Sequence, residues 1–433
     1  MKERIAIISG YRSAMGKAGG AFKNLTASNL GAAVAKEVLI RSEIDPQLID
    51  EVIIGNVAQP GDSANIARVI ALKSGIPQHV PAYTVHRNCA SGMEAMTSAT
   101  SKILNDEAEV MFVGGVESMS NIPLLYNKKM TNLFADLMKA KTLQQKLSAV
   151  AKFRPNFLQP IIGLTQGLTD PISNLIMGLT AENIAKDFTI SRQEQDQFSL
   201  RSHQLAENAT AKGIFKEEII PIFNNDERNS KMVDEDEGIR KGQRIEDLSK
   251  LRPYFEKVTG TVTVGNSSQI TDGAAFAILM RESKAKALGV KPLGYIRDFS
   301  YAGMDPSRMG LGPVFATAKL LKKTNLKLSD IGLFEINEAF AAQVIGCIRA
   351  FASDKFSQEK LAHLGYDKAL GQINDDVLNV NGGAIALGHP VGMSGARIVI
   401  HGLRELKRRN KNRGLATLCI GGGQGGAVII ETE

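Results

Sequence analysis

The sequence has no tryptophan, few aromatics (6%) and only three cysteines in 433 residues. With so few rings, the core must be built from Ala, Val, Ile, Leu and Met packed around 41 glycines. The length is enough for about two to three domains, and a 43% share of hydrophobic residues is enough for a large core. Three cysteines without CxxC spacing exclude a disulfide framework. They predict free thiols in a reducing compartment, the cytoplasm, or the mitochondrial matrix in a eukaryote. No group of His, Cys and carboxylates has the spacing of a metal site. No apolar run is long enough to cross a membrane. Residues 5–8 already read as a buried strand, so no secretory or transit segment is expected ahead of the fold.

Two phosphate-binding motifs fail as well. Gly421-Gly422-Gly423-Gln424-Gly425-Gly426 fits GxGxxG but leads into a terminal strand, with no room for a βαβ unit. Five residues separate Gly10 from Gly16-Lys17, and Ala18 follows, so this is no P-loop. The net charge of +7 suits an anionic partner such as a phosphate-bearing cofactor, a nucleic acid or an anionic membrane. An ordinary basic soluble protein has the same balance.

What is present is an alternation of short apolar strands and small-residue helices. Residues 5–9, 51–57 and 110–113 read as buried strands, and residues 29–40 and 90–104 as helices. This predicts an α/β fold with helices covering a sheet. The order repeats: a strand at 51–57 precedes a turn at Cys89, and a strand at 331–337 precedes a turn at His389. Residues 270–280 and 425–430 close the two halves. Two copies of one α/β unit are expected.

The middle differs. Residues 121–160 carry seven Lys/Arg and one Asp. Met130, Leu133, Phe134, Leu137 and Met138 have helical spacing. A helix packed on the domain below, with a solvated basic outer side, is the first expectation. Contact with an anionic cofactor or a partner subunit, and a membrane-surface helix, are the alternatives. Residues 223–250 read as an exposed charged loop.

Three residues carry the chemistry. Cys89 follows a strand and opens a helix, where free N–H groups and the dipole favour a thiolate and can hold an oxyanion. His389 lies in Asn381-Gly382-Gly383-Ala384-Ile385-Ala386-Leu387-Gly388-His389-Pro390, whose glycines allow close approach to a ligand. Cys419 lies in a second glycine-rich turn. Two thiols and an imidazole suggest a nucleophile, its base and a second proton carrier. A buried structural Cys and a core His are the bland alternatives. Cys347, in a helix-like stretch, reads as core. Asn337-Glu338 ends a strand; Asn337 is suited to orient a water and Glu338 to hold a His or an amide, although such a pair also caps helices.

Asn88-Cys89-Ala90-Ser91-Gly92, Asn337-Glu338-Ala339-Phe340, Gly388-His389-Pro390 and Cys419-Ile420-Gly421-Gly422-Gly423 stand in the order seen in thiolases. Val264-Gly265-Asn266-Ser267-Ser268 and Thr271-Asp272-Gly273-Ala274-Ala275 add to this, and the resemblance spans essentially the whole chain. It implies a five-layer αβαβα fold of two similar halves with an inserted, mostly helical loop domain. The halves would be residues 1–120 with 251–282, and residues 283–433; the insert would be 121–250. Cys89 would take the acyl group as a thioester, His389 would activate it, and Cys419 would move the proton at the α-carbon of acetyl-CoA. One oxyanion hole would use His389 and a water held by Asn337, the other the N–H groups of Cys89 and Gly421. Ser268 would lie along the pantetheine, with Phe340 and Met177 at the acyl pocket. CoA would be a substrate, with no permanently bound cofactor, and nucleic acid is not expected as a partner.

Lys139-Ala140-Lys141-Thr142-Leu143-Gln144-Gln145-Lys146-Leu147 and Lys152-Phe153-Arg154-Pro155-Asn156 resemble the β-subunits of fatty-acid β-oxidation complexes. Ile176 stands where acetoacetyl-CoA thiolases tend to carry His. Asn337 departs from the mitochondrial complex subunit, which tends to have His there. The resemblance implies degradative thiolysis of 3-oxoacyl-CoA, a homodimer or homotetramer, and a hydratase/dehydrogenase α-subunit as partner; the basic loop adds peripheral membrane contact as an expectation. A short-chain acetoacetyl-CoA thiolase working in the condensing direction is the runner-up. A ketoacyl synthase fits less well, because its second proton carrier is not a Cys. A non-catalytic scaffold and a cysteine hydrolase are the readings from other classes.

Overall fold

The computed structural model describes residues 3–226 and 230–433. Nine strands follow one another across a mixed sheet: β1 (Ile5–Ser13), β2 (Glu51–Gly55), β3 (Ala82–Val85), β4 (Val110–Ser118), β5 (Thr271–Arg281), β6 (Gly294–Gly303), β7 (Leu333–Ile336), β8 (Arg413–Ile420) and β9 (Gln424–Glu431). Their spatial order is β7-β8-β9-β6-β1-β5-β4-β2-β3. In the first half β1, β5 and β4 are antiparallel neighbours, and β4, β2 and β3 are parallel. The second half repeats this pattern with β6, β9, β8 and β7. A parallel bridge from Phe334 to Leu378 stands where its fifth strand would lie. The halves meet edge to edge through Ile5–Ile7, paired with Gly294–Ile296.

Two helices fill the space between the halves, α3 (Ser91–Leu104) and α10 (Val391–Arg408). Fourteen of the eighteen α10 residues are buried, because this helix packs on strands of both halves and on α3. Helices α1 (Ala27–Ser42) and α2 (Ile66–Ser74) cover the outer face of the first half, and α8 (Gly312–Thr324) and α9 (Ala341–Phe351) that of the second. The result is five layers, αβαβα, with Cys347 buried in α9.

The central layer is tight because glycines let backbones touch. A Cβ on Gly115 would lie 2.0 Å from the Gly392 carbonyl oxygen, and one on Gly92 would lie 2.8 Å from the same atom. Neither contact is with a flexible side-chain end, so the cost cannot be relieved by a rotamer change. Gly115→Ala is expected to destabilise the chain by about 3 kcal/mol, read as a lower urea midpoint. An unchanged midpoint would mean that the central crossing is looser than these distances require.

Between Ser118 and Thr271 the chain leaves the sheet. It forms α4 (Lys128–Lys139), α5 (Leu143–Ala151), α6 (Met177–Asp187) and α7 (Arg192–Ala211), with shorter pieces among them. Arg12, 1% exposed, ties this excursion to β1 through Glu218 at 2.7 Å and Asp236 at 2.7 Å. Asp236 is therefore buried, and so are Val233 and Leu248; residues 223–250 are not the wholly exposed loop their charge suggests. The α4 stripe also departs from expectation. Met130 and Leu133 are buried, but Phe134 and Met138 are 37% and 88% exposed. Helical spacing marks an apolar face; it does not say what covers it.

Candidate active site

Cys89 sits in a turn closed by its own neighbours. The Ser91 hydroxyl accepts from the Arg87 N–H at 2.9 Å and donates to the Asn88 carbonyl at 2.7 Å. Asn88 has φ +44°, a left-handed conformation that Asn tolerates better than most residues. Its Nδ2 donates to the Gly421 carbonyl at 2.7 Å, joining the Cys89 turn to the β8–β9 turn of the other half. The N–H groups of Gly421 and of Cys89 itself act on the Cys89 sulfur.

The residue as a whole is half-buried, yet its sulfur is deep enough for desolvation to dominate. Burial pushes the thiol up, the two N–H groups pull it down, and Glu117 adds to the rise. The net direction is upward. This corrects the expectation of a thiolate lowered by the helix terminus: the two N–H groups are present, but burial wins.

His389 occupies the matching place in the second half, two residues before α10 as Cys89 is two before α3. Gly388 turns the chain with φ +117°, and the His389 N–H donates to the Gln269 carbonyl at 3.2 Å. The ring is buried. Nδ1 lies 2.6 Å from the Ser394 hydroxyl, and Nε2 lies 3.5 Å from Asn337 Nδ2. Burial, with the Arg397 charge, pushes His389 down to about 4. At neutral pH it is an uncharged ring. Among the described residues no side-chain hydrogen bond joins it to Cys89; Nε2 faces Asn337 instead. Such bonds are often long without substrate.

Asn337 directly follows β7 and is held by its N–H to the Thr417 carbonyl at 3.0 Å. Its Oδ1 is buried with no protein partner. Glu338 holds an amide and not the His: it accepts from Ser202 at 2.6 Å and Asn379 at 2.9 Å. Neither residue caps α9, whose first turn has no side-chain cap.

Cys419, fully buried near the end of β8, packs in a small cluster with Phe340, Met309, Ala181, Val262 and Ala339. Met177 and Phe255 border that cluster. The Cys419 thiol is pushed well above the usual range by burial, then by the nearby charges that Cys89 and Cys347 would carry. The Met177 sulfur lies 3.6 Å from where a Cβ on Gly421 would stand. Ser268 is half-buried and donates its N–H to the Ala339 carbonyl at 2.9 Å. Its neighbours Ser267 and Gln269 reach Phe340 and His389.

The eight residues singled out in the sequence thus gather at one end of the two central helices. Sequence reasoning missed Ser394, Phe255 and Met309. Ser394 had a weak signal, a hydroxyl one helical turn after the His; the other two had none.

Residues 5–283 match the family described as "Thiolase, N-terminal domain", and residues 290–432 match "Thiolase, C-terminal domain". The chain belongs to the thiolase family. It is 40% identical over its whole length to 97% of a 3-ketoacyl-CoA thiolase from Yersinia enterocolitica. It is 41% identical over 99% of its length to 98% of a probable acetyl-CoA acyltransferase from Staphylococcus epidermidis. Its fold superposes on the human mitochondrial 3-ketoacyl-CoA thiolase with TM-score 0.85 and 36% identity, covering 100% of this chain and 99% of that one. That human enzyme has also been solved in complex with CoA, again with TM-score 0.85. The Bacillus anthracis acetyl-CoA acetyltransferase gives TM-score 0.86 and 38% identity, covering 99% of each chain. The chain is a thiolase-family acyltransferase, and thiolases use CoA as a substrate.

Proposed function

We propose that this thiolase cleaves 3-oxoacyl-CoA with CoA, giving acetyl-CoA and an acyl-CoA two carbons shorter, through a thioester on Cys89. The observation that carries the reading is one site with two thiols, a neutral imidazole and two separate sets of donors. Cys89 attacks the 3-oxo carbon while His389 takes its proton. His389, with a water oriented by Asn337, and the N–H pair of Cys89 and Gly421 face the two carbonyl oxygens on which charge develops. The C2–C3 bond breaks, the acyl group stays on Cys89, and the acetyl-CoA enolate takes a proton at carbon from Cys419. CoA then gives its thiol proton to Cys419 and attacks the thioester, and Cys89 leaves as it takes back its proton from His389.

The degradative direction, fatty-acid β-oxidation, is supported by the names of the relatives, by Ile176 beside Met177 and by the basic loop sequences. The acetyl-CoA acetyltransferase neighbour supports the short-chain, condensing alternative. A chain-length series of 3-oxoacyl-CoA substrates separates the two. Turnover extending to long chains is expected; activity on acetoacetyl-CoA alone would move the assignment to the short-chain branch.

The same proposal includes a homodimer or homotetramer, since β3 ends the sheet with one edge unpaired by the described strands. It includes a reducing compartment such as the cytoplasm, since all three thiols are free. It also includes a peripheral contact of the α4–α5 face with an anionic lipid surface. Leu124, Tyr126, Met138, Leu143, Leu147 and Val150 are exposed there, among the seven cations of residues 121–160. Co-sedimentation with vesicles containing phosphatidylglycerol is expected to fall with salt. Each of Lys139→Ala and Lys146→Ala should weaken it by about 1 kcal/mol. Equal binding to neutral vesicles, or none to either, would reject the lipid contact. Capture of a hydratase/dehydrogenase subunit by this face, with no lipid binding, would assign it to that partner.

A further inference from the structure

A hydroxyl has one proton to give. The Ser394 hydroxyl lies 3.0 Å from the Pro390 carbonyl, which can only accept. That carbonyl also accepts from the N–H groups of Met393 at 2.8 Å and Ser394 at 3.0 Å, so the bond back along the first turn of α10 is one of two places the hydroxyl proton can go. The same oxygen lies 2.6 Å from His389 Nδ1. The Asn337 amide at the other ring nitrogen favours the arrangement in which the hydroxyl donates to Pro390 and Nδ1 donates to the hydroxyl. Nδ1 then carries the ring proton and Nε2 is left with a lone pair. The Asn337 amide presents Nδ2 to that nitrogen at 3.5 Å, the side of an amide that a lone pair can accept. Ser394 and His389 are 2% and 6% exposed, so bulk water offers Nδ1 no ready substitute.

We propose that Ser394 is a positioning residue that fixes the His389 tautomer, so that Nε2 is the nitrogen that takes the Cys89 proton. In the other tautomer Nε2 already holds a proton and cannot act as a base. The bond made by one ring nitrogen decides the chemistry of the other. After proton transfer, both nitrogens carry hydrogen. Nδ1–H stays on Ser394, and Nε2–H is turned toward the developing oxyanion. One serine thus serves both halves of the step without touching the substrate.

This rests on the reading of His389 as the base, and the two can fail separately. Long-range proton–nitrogen correlation on the full-length protein, labelled with nitrogen-15 in histidine, reads the resting tautomer directly. The His389 signals are identified by their loss in His389→Gln. A protonated Nδ1 and bare Nε2 are expected; the reverse overturns the proposal in the unmutated protein. Ser394→Ala is expected to shift the ring toward the other tautomer and to lower kcat about 10²-fold, with KM unchanged. Ser394→Thr, which keeps the hydroxyl, should restore both. Loss of activity in Ser394→Ala with the wild-type tautomer retained would make the role merely structural and overturn the proposal, as would full activity. Full activity of His389→Gln would instead remove the base reading and leave the tautomer measurement standing.

Discussion

Cys89→Ser is expected to keep the fold and to lower kcat/KM for thiolysis by at least about 10⁴-fold. The change is small in volume and removes the only thiol at the mouth of the α3 turn. A hydroxyl is far harder to ionise, and the base opposite is weak. His389 is pushed down to about 4, while burial pushes the Cys89 thiol up. Even the native pair therefore rests as neutral thiol and neutral imidazole, not as a preformed ion pair. Proton transfer has to accompany attack, where the N–H groups of Gly421 and Cys89 can stabilise the developing charge. Serine raises the cost of that single step. Intact-protein mass spectrometry after mixing with acyl-CoA should show an acyl adduct on the native chain and none on the variant. Normal turnover by Cys89→Ser, or an adduct on another residue, would sink the assignment.

The same neutral pair sets the sign of the pH dependence. His389 works as a base only while unprotonated. The rate should hold as pH falls from neutrality and drop as pH passes through about 4, where the ring takes its proton. A drop centred near the ordinary histidine value would show that the ring is better solvated than its burial implies.

Much of this was legible because the chemistry is written locally. Cys89 and His389 each stand two residues before a central helix, among small residues that let the chain turn. The doubled strand order could also be read from apolar runs. What could not be read depends on partners far along the chain. The N–H groups at the helix start argue for a lowered Cys89 pKa, but burial, which comes from the whole fold, reverses the sign. Glu338 turns to Ser202 and Asn379, 136 and 41 residues away. The first strand reads as ending at Ser9; it runs to Ser13, with Arg12 buried against Glu218 and Asp236. β4 runs on to Ser118 rather than stopping at Val113. Its Gly115 is pressed against Gly392, and its Glu117 accepts from Val57, Ala58 and Gly392.

Cys419→Ser separates the two thiols by what each does. Cys419 is fully buried, and its thiol is pushed well above the usual range, first by desolvation. It rests protonated, as a group must that gives a proton to the enolate carbon during cleavage. A serine there keeps the size but holds its proton too tightly and returns it too slowly. Overall thiolysis is expected to fall by about 10²- to 10⁴-fold. The acylation half-reaction should survive, because acyl transfer from an acyl-CoA donor to Cys89 needs His389 and the Gly421 amide but no proton at carbon. Transfer of a labelled acetyl group onto Cys89 is therefore expected to persist, while exchange of acetyl-CoA α-hydrogens with deuterated water disappears. Loss of both would mean that Cys419 serves acylation as well. Retention of both would move the carbon proton to another group.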